Sequence, residues 1–239
     1  MKDLFVKKNE TMNSAKKFMT LFPSLNQEEL EILIQSSTEL RVKKEQNIFI
    51  AGEKAYSIYF ITSGCVKFTK ECDRNRSIIS GLAKEGDCFG IYEMFAKYPY
   101  YERTCTAITN CEFMSVPNVA ISGIGEKNCS IYLDFLRRIC RHSSMLYNRI
   151  EGVRYKTAKQ RLAACFLEIH PYFMNRDNVK RAYLNRSDFA DLSDMTPETV
   201  SRVFSELKKM GAIEGNISDF NIVDLNLLKE IAEEKSYEN

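Results

Sequence analysis

Residues 184–207, LNRSDFADLSDMTPETVSRVFSEL, dictate local structure more tightly than any other part of the chain. Asn185 can cap a short helix whose inner face is Phe189, Ala190 and Leu192. Ser193, Asp194 and Met195 read as a turn. Thr196 then caps a second helix with Pro197 at its first position, where a missing N–H costs nothing. Val200, Val203, Phe204 and Leu207 recur at helical spacing and form that helix's buried stripe. Ala190 is small, as a close crossing of two helices requires. Glu198, Thr199, Ser201 and Arg202 are left exposed near the start of the second helix.

That is where a helix-turn-helix presents side chains to base edges in the major groove. Arginine can bond guanine through O6 and N7, and glutamate can accept from cytosine N4. Ser201 can bond a base edge or a phosphate. Thr196, Thr199 and the helix N-termini can hold phosphates, and Lys208 and Lys209 can contact the same backbone. The whole chain carries a net charge of only +2, so any anion-binding surface has to be local. Between residues 154 and 213, eleven Lys or Arg stand against seven Asp or Glu. Residues 212–217 and 220–223 follow as a short hairpin resembling a wing, and an acidic amphipathic helix starts at 224. An ordinary pair of packed helices with a solvated face fits the same local pattern, so the reading needs the rest of the chain.

The 239 residues are 44% hydrophobic and 28% charged, enough for a sizeable core and unlike disordered or collagen-like chains. No apolar run approaches the ~20 residues of a membrane span. The opening residues lack the apolar block and small-residue cleavage site of a secretory signal. Cysteines stand at 65, 72, 88, 105, 111, 129, 140 and 165, with no C-x-x-C pair. That spread predicts reduced thiols in a cytoplasmic protein, most of them small buried hydrophobes, rather than disulfides or a zinc ribbon. No catalytic constellation and no metal-ligand set is evident. A cupin-like enzyme would need metal ligands in the barrel, and both histidines, His142 and His170, lie outside residues 40–117.

The chain changes grammar twice. Asn26 with Glu29 reads as a helix start, followed by Leu30, Leu33 and Ile34 on one face. From about 40 to 117, the segments 47–50, 57–62, 65–69 and 77–82 are short and rich in Ile, Phe, Tyr and Val, with glycines between them. They predict a small antiparallel sandwich or barrel. After 117 the pattern is helical. Phe135, Ile139, His142, Leu146 and Val153 follow a heptad-type spacing, and the simplest partner for that stripe is the same helix of a second subunit. Packing on the chain's own sandwich is the alternative. The helix is expected to end or bend around 152–157.

Three stretches in this order carry a family resemblance: AGEKAYSIYFITSGCVK at 51–67, GDCFG at 86–90, and TPETVSRV at 196–203. The chain resembles the Crp/Fnr family of bacterial transcription regulators over about residues 20–225. The resemblance implies an α+β fold with an antiparallel β-roll or jelly-roll sensor, a long dimerisation helix and a C-terminal winged helix-turn-helix. The expected domains are 1–125, 126–156 and 157–239. It implies a homodimer on double-stranded DNA, RNA polymerase as a further partner, and a cytoplasmic location. The Glu198-x-x-Ser201-Arg202 pattern is similar to the Fnr branch, which implies a palindrome with TTGA-like half-sites.

The sensor departs from the family pattern. Cyclic-nucleotide binders follow the cassette glycine with Glu-Leu, whereas Gly90 is followed by Ile91 and Tyr92, and Glu93 is the nearest acid. Arg103-Thr104 match the family's Arg-Ser/Thr pair, after a loop about two residues longer. Gly90, Tyr92, Glu93, Arg103 and Thr104 are therefore the expected effector pocket, crowded by the aromatic bulk of Tyr92, Tyr98, Tyr100 and Tyr101. Losing the glutamate disfavours cAMP and leaves the cofactor unknown, with haem or another small effector compatible. The N-terminal cysteine cluster of Fnr-type oxygen sensors is absent. His142 can be an axial ligand or a polar seam residue, and Cys105 with Cys111 can form a redox switch only in an exposed, electropositive setting. The rival function is a ligand-binding regulatory module that acts on a protein partner without sequence-specific DNA binding.

Overall fold

The computed structural model describes the backbone of residues 21–72, 76–173 and 184–233. The opening residues, and the side chain of Val153, lie outside the described residues. The chain divides into two compact units. The first comprises the described residues up to 70 together with 82–143, and the second takes 71–81 and the residues from 144 on.

The first unit opens with α1 (Gln27–Ser36). Its start carries the reciprocal cap expected from sequence: Glu29 N–H donates to Asn26 Oδ1 at 2.9 Å, and Asn26 N–H to Glu29 Oε2 at 2.9 Å. Eight strands follow: β1 (Thr38–Val42), β2 (Asn47–Phe49), β3 (Ser57–Ser63), β4 (Cys65–Cys72), β5 (Arg76–Lys84), β6 (Cys88–Phe89), β7 (Thr104–Ala107) and β8 (Cys111–Pro117). They form two four-stranded sheets in the orders β1-β8-β3-β6 and β2-β7-β4-β5. Phe49, Val66, Phe89, Cys105 and Phe113 fill the space between them. The four predicted strand segments are β2 to β5. The short helix α2 (Ile91–Phe95) interrupts the strands, and α3 (Asn118–Gly125) and α4 (Ser130–Tyr155) follow, with α4 belonging to the first unit up to residue 143 and to the second from 144. A second core sits where α1, α3 and the start of α4 meet one sheet, around Phe22, Leu33, Phe60, Ile121, Ile131 and Phe135.

The second unit contains α5 (Ala158–Phe173), α6 (Arg186–Ser193), α7 (Pro197–Lys209), the hairpin β9 (Ile213–Asn216) and β10 (Asp219–Ile222), and α8 (Leu225–Glu233). Four phenylalanines, one each from α5, α6, α7 and β10, make its centre. Phe166 lies 5.2 Å from Phe189, 6.1 Å from Phe204 and 4.6 Å from Phe220, ring centroid to centroid. α8 buries Leu228, Ile231 and Ala232, so the acidic terminal helix is part of this core. No helix among the described residues is long and apolar enough to cross a membrane.

The expected dimer seam does not hold at Phe135. Phe135 is fully buried, with its ring edge-on to Phe22 at 5.1 Å and to Phe95 at 6.0 Å. Ile139 packs on the same cluster. Phe135 therefore faces the first unit's own core and has no surface to offer a partner subunit, while Ile139 is half-buried against that core. α4 carries two apolar stripes. The outer one is Leu133, Leu136, Cys140, Tyr147 and Ile150, all exposed, and it lies about one residue, roughly 100°, around the helix. Of the rest of the expected seam with described side chains, His142 is half-buried and Leu146 is 39% exposed.

Candidate functional site

The helix pair in the second unit is built from local chemistry. Asn185 Oδ1 accepts from Asp188 N–H at 3.0 Å, while Asp188 Oδ2 accepts from Asn185 N–H at 2.8 Å. α6 ends at Asp194, whose φ of 51° places it in the left-handed region. Short polar residues tolerate that conformation best after glycine. Thr196 Oγ1 then accepts from Thr199 N–H at 3.2 Å and opens α7, with Pro197 in its first turn. Val200, Val203, Phe204 and Leu207 are buried. The amphipathic stripe thus turns the opposite side of α7 outward.

On that outward side, Glu198 and Arg202 are exposed and Thr199 and Ser201 are half-buried. Ser201 Oγ donates to Pro197 O at 3.1 Å and receives a bond from Arg186 Nη1 at 3.4 Å. Its hydroxyl is therefore engaged within the helix pair. Arg202 Nη1 donates to Glu206 Oε1 at 2.8 Å. Lys208 Nζ donates to Gly215 O at 2.9 Å and ties the end of α7 to strand β9. Lys209 is exposed. Arg186 and Glu206 are the residues that sequence reading missed. Glu206 was legible as the i+4 partner of Arg202, but Arg186 stands fifteen residues from Ser201, and only the helix crossing brings them together.

The expected effector residues gather in the first unit. Gly90 has φ 91°, and a Cβ there would come within 2.8 Å of Ser57 O. That turn starts α2. Tyr92 hydroxyl and His142 Nδ1 are 2.9 Å apart, joining α2 to α4. Glu93 is 8% exposed, and its Oε2 has no hydrogen-bond partner among the described residues. Burial pushes its carboxyl above the ordinary range, partly offset by its own backbone N–H and the positive charge of Arg103. The Arg103 guanidinium lies over the Phe68 ring, 4.9 Å from its centroid. Thr104 Oγ1 is engaged by Ala51 N–H at 3.1 Å. The expected tyrosine crowding is corrected: Tyr98 and Tyr100 are exposed, and only Tyr101 turns inward, stacked on Phe49 at 3.6 Å.

The position after the cassette glycine departs from the cyclic-nucleotide pattern. Ile91, next to the cassette glycine, is buried in the core and offers no acceptor for a ribose hydroxyl. The Tyr92 hydroxyl is already held by His142. All eight cysteines carry thiols. Cys65, Cys105, Cys111 and Cys165 are buried and Cys88 is half-buried, but Cys72, Cys129 and Cys140 are exposed. Burial raises the thiols of Cys105 and Cys111, which favours the inert thiol over a reactive thiolate.

The buried Glu93 carboxyl has a stability consequence. Its folded-state pKa is raised, so the folded chain keeps a proton that the unfolded chain releases. Stability therefore falls as pH rises from about 4.3 through the folded value. Glu93→Gln removes the charge while keeping the shape. Its Tm is expected to exceed that of the parent at pH 7 and to match it near pH 4 in thermal melts.

Comparison with known proteins supports the same architecture. The cyclic nucleotide-binding domain family matches residues 39–128, and the Crp-like helix-turn-helix domain family matches residues 160–231. The anaerobic regulatory protein of Haemophilus influenzae is 25% identical over 215 residues, covering 87% of this chain and 82% of that protein. The fumarate nitrate reduction regulatory protein of Klebsiella oxytoca is 23% identical over 214 residues, covering 87% and 84%. The solved structure of FixK2 from Bradyrhizobium japonicum superposes with a TM-score of 0.71 at 20% identity, over 82% of this chain and 96% of that one. With a sensor unit of cyclic nucleotide-binding type ahead of a Crp-like helix-turn-helix, the chain belongs to the Crp/Fnr family of DNA-binding transcription regulators.

Proposed function

We propose that the chain acts as a homodimer whose two α7 helices enter successive major grooves of a palindromic operator. The observation that carries this reading is the outward face of α7, a capped helix with Glu198 and Arg202 exposed over a fully buried stripe. Arg202 reads guanine and Glu198 reads the neighbouring cytosine amino group. Thr196 and Thr199 sit at the helix N-terminus, where backbone N–H groups favour phosphate. Lys209 adds a phosphate contact, and Lys208 both contributes charge and anchors the wing.

Dimerisation is assigned to the outer stripe of α4, Leu133, Leu136, Cys140, Tyr147 and Ile150, which needs an apolar partner. A second copy of the same helix supplies one with matching register. The two α7 helices then need a separation near one DNA turn, ~34–36 Å. An effector acting through Tyr92, Glu93 and Arg103 would shift the population between α4 packings, and with it that separation. His142 belongs to this sensor path through its bond to Tyr92. RNA polymerase is the downstream partner, and the cytoplasm is the place where such a regulator meets DNA.

The test is selection of bound duplexes from a random-sequence pool by the full-length protein, followed by affinity measurement at several salt concentrations. An inverted repeat should emerge, with log affinity falling linearly with log salt. A pool that shows no enrichment, together with retained affinity for a protein partner, would favour the rival module reading.

A further inference from the structure

We infer that Glu206 is a positioning residue that determines the specificity of DNA reading by holding the Arg202 guanidinium. The inference rests on the DNA-reading role proposed above. Glu198, Arg202 and Glu206 follow one another at steps of four in α7 and so share one face. Arg202 chooses the acid on its C-terminal side: its Nη1 donates to Glu206 Oε1 at 2.8 Å, with side chains 63% and 43% exposed. Glu198 is left exposed on the other side, available to a base.

Nothing in the folding of α7 asks for this acid. An exposed pair adds little stability. Arginine ahead of glutamate is the less favourable order along a helix. A carboxylate near a helix C-terminus opposes the macrodipole, which Lys208 and Lys209 otherwise complement. On a surface that approaches phosphates, the charge also weakens general attraction to DNA. What Glu206 supplies is orientation. A guanidinium has five N–H donors in a rigid plane. One is committed to Glu206, and four remain for the two acceptors of guanine. A long side chain that would otherwise sample many rotamers is thus held in one region before it meets the base, so a wrong base meets a guanidinium that cannot swing to a phosphate. A residue that lowers attraction to all sequences while sharpening the choice among them is a specificity device.

The test uses the full-length protein, its selected operator and a random duplex, with fluorescence anisotropy and a repeat of the pool selection. Glu206→Ala should raise random-duplex affinity severalfold, lower the operator-to-random ratio about tenfold, and flatten the base preference at the position that Arg202 reads. Glu206→Gln keeps an acceptor and drops the charge, so it should restore the base preference while random-duplex affinity stays raised. An unchanged or sharper preference in Glu206→Ala overturns the inference, as does an equal loss on both duplexes. If the parent protein enriches no sequence, the DNA-reading role falls with it. If the parent enriches an operator and Glu206→Ala enriches the same one equally well, the inference alone falls.

Discussion

Arg202→Ala should lower operator affinity by about 5- to 150-fold per half-site, equivalent to ~1–3 kcal/mol, and relax the preference at one base pair. Its affinity for random duplex should fall far less, because phosphate contacts carry most of that binding. The expectation follows from position: Arg202 is exposed on the outward face of α7, and its side-chain bond to Glu206 runs along that face. Equal losses on operator and random duplex would reassign Arg202 to the phosphate backbone. Mobility shifts on a panel of single-base operator variants separate the two outcomes.

The second large effect separates the two stripes of α4. Phe135→Ala should cost the first unit ~3–5 kcal/mol of stability, the usual range for truncating a buried phenylalanine. Its ring contacts Phe22 and Phe95 and has no exposed surface. Leu136→Asp combined with Ile150→Asp should instead leave each protomer folded and abolish dimers, because those side chains are 53% and 57% exposed. Circular dichroism melts and sedimentation read the two effects independently. A Phe135→Ala protein that melts normally but sediments as a monomer would return the seam to the inner stripe.

The neighbouring residues 135 and 136 show where the sequence could be read and where it could not. Both belong to apolar series with heptad-like spacing, so periodicity identifies an interface helix without saying which stripe meets which partner. That choice depends on Phe22 and Phe95, which lie far along the chain and reach Phe135 only through the tertiary fold. The caps of α6 and α7 were legible because Asn185 with Asp188 and Thr196 with Thr199 act within one turn. Strands β2 to β5 were legible from their composition. The order of the sheets was not, because β8 lies between β1 and β3 through pairings that cross dozens of residues. In the sensor, the departure at Ile91 was visible in sequence. The burial of Glu93 and the Tyr92–His142 bond needed the packing of α2 and α4.

The most direct test of twofold reading is stoichiometry on DNA. Sedimentation and titration with the full inverted repeat and with an isolated half-site give it in one experiment. Two protomers should bind the full repeat cooperatively, with half-site centres one helical turn apart, about 34–36 Å, and the isolated half-site should bind far more weakly. A single protomer on the full repeat, or the same affinity for both duplexes, would contradict the account.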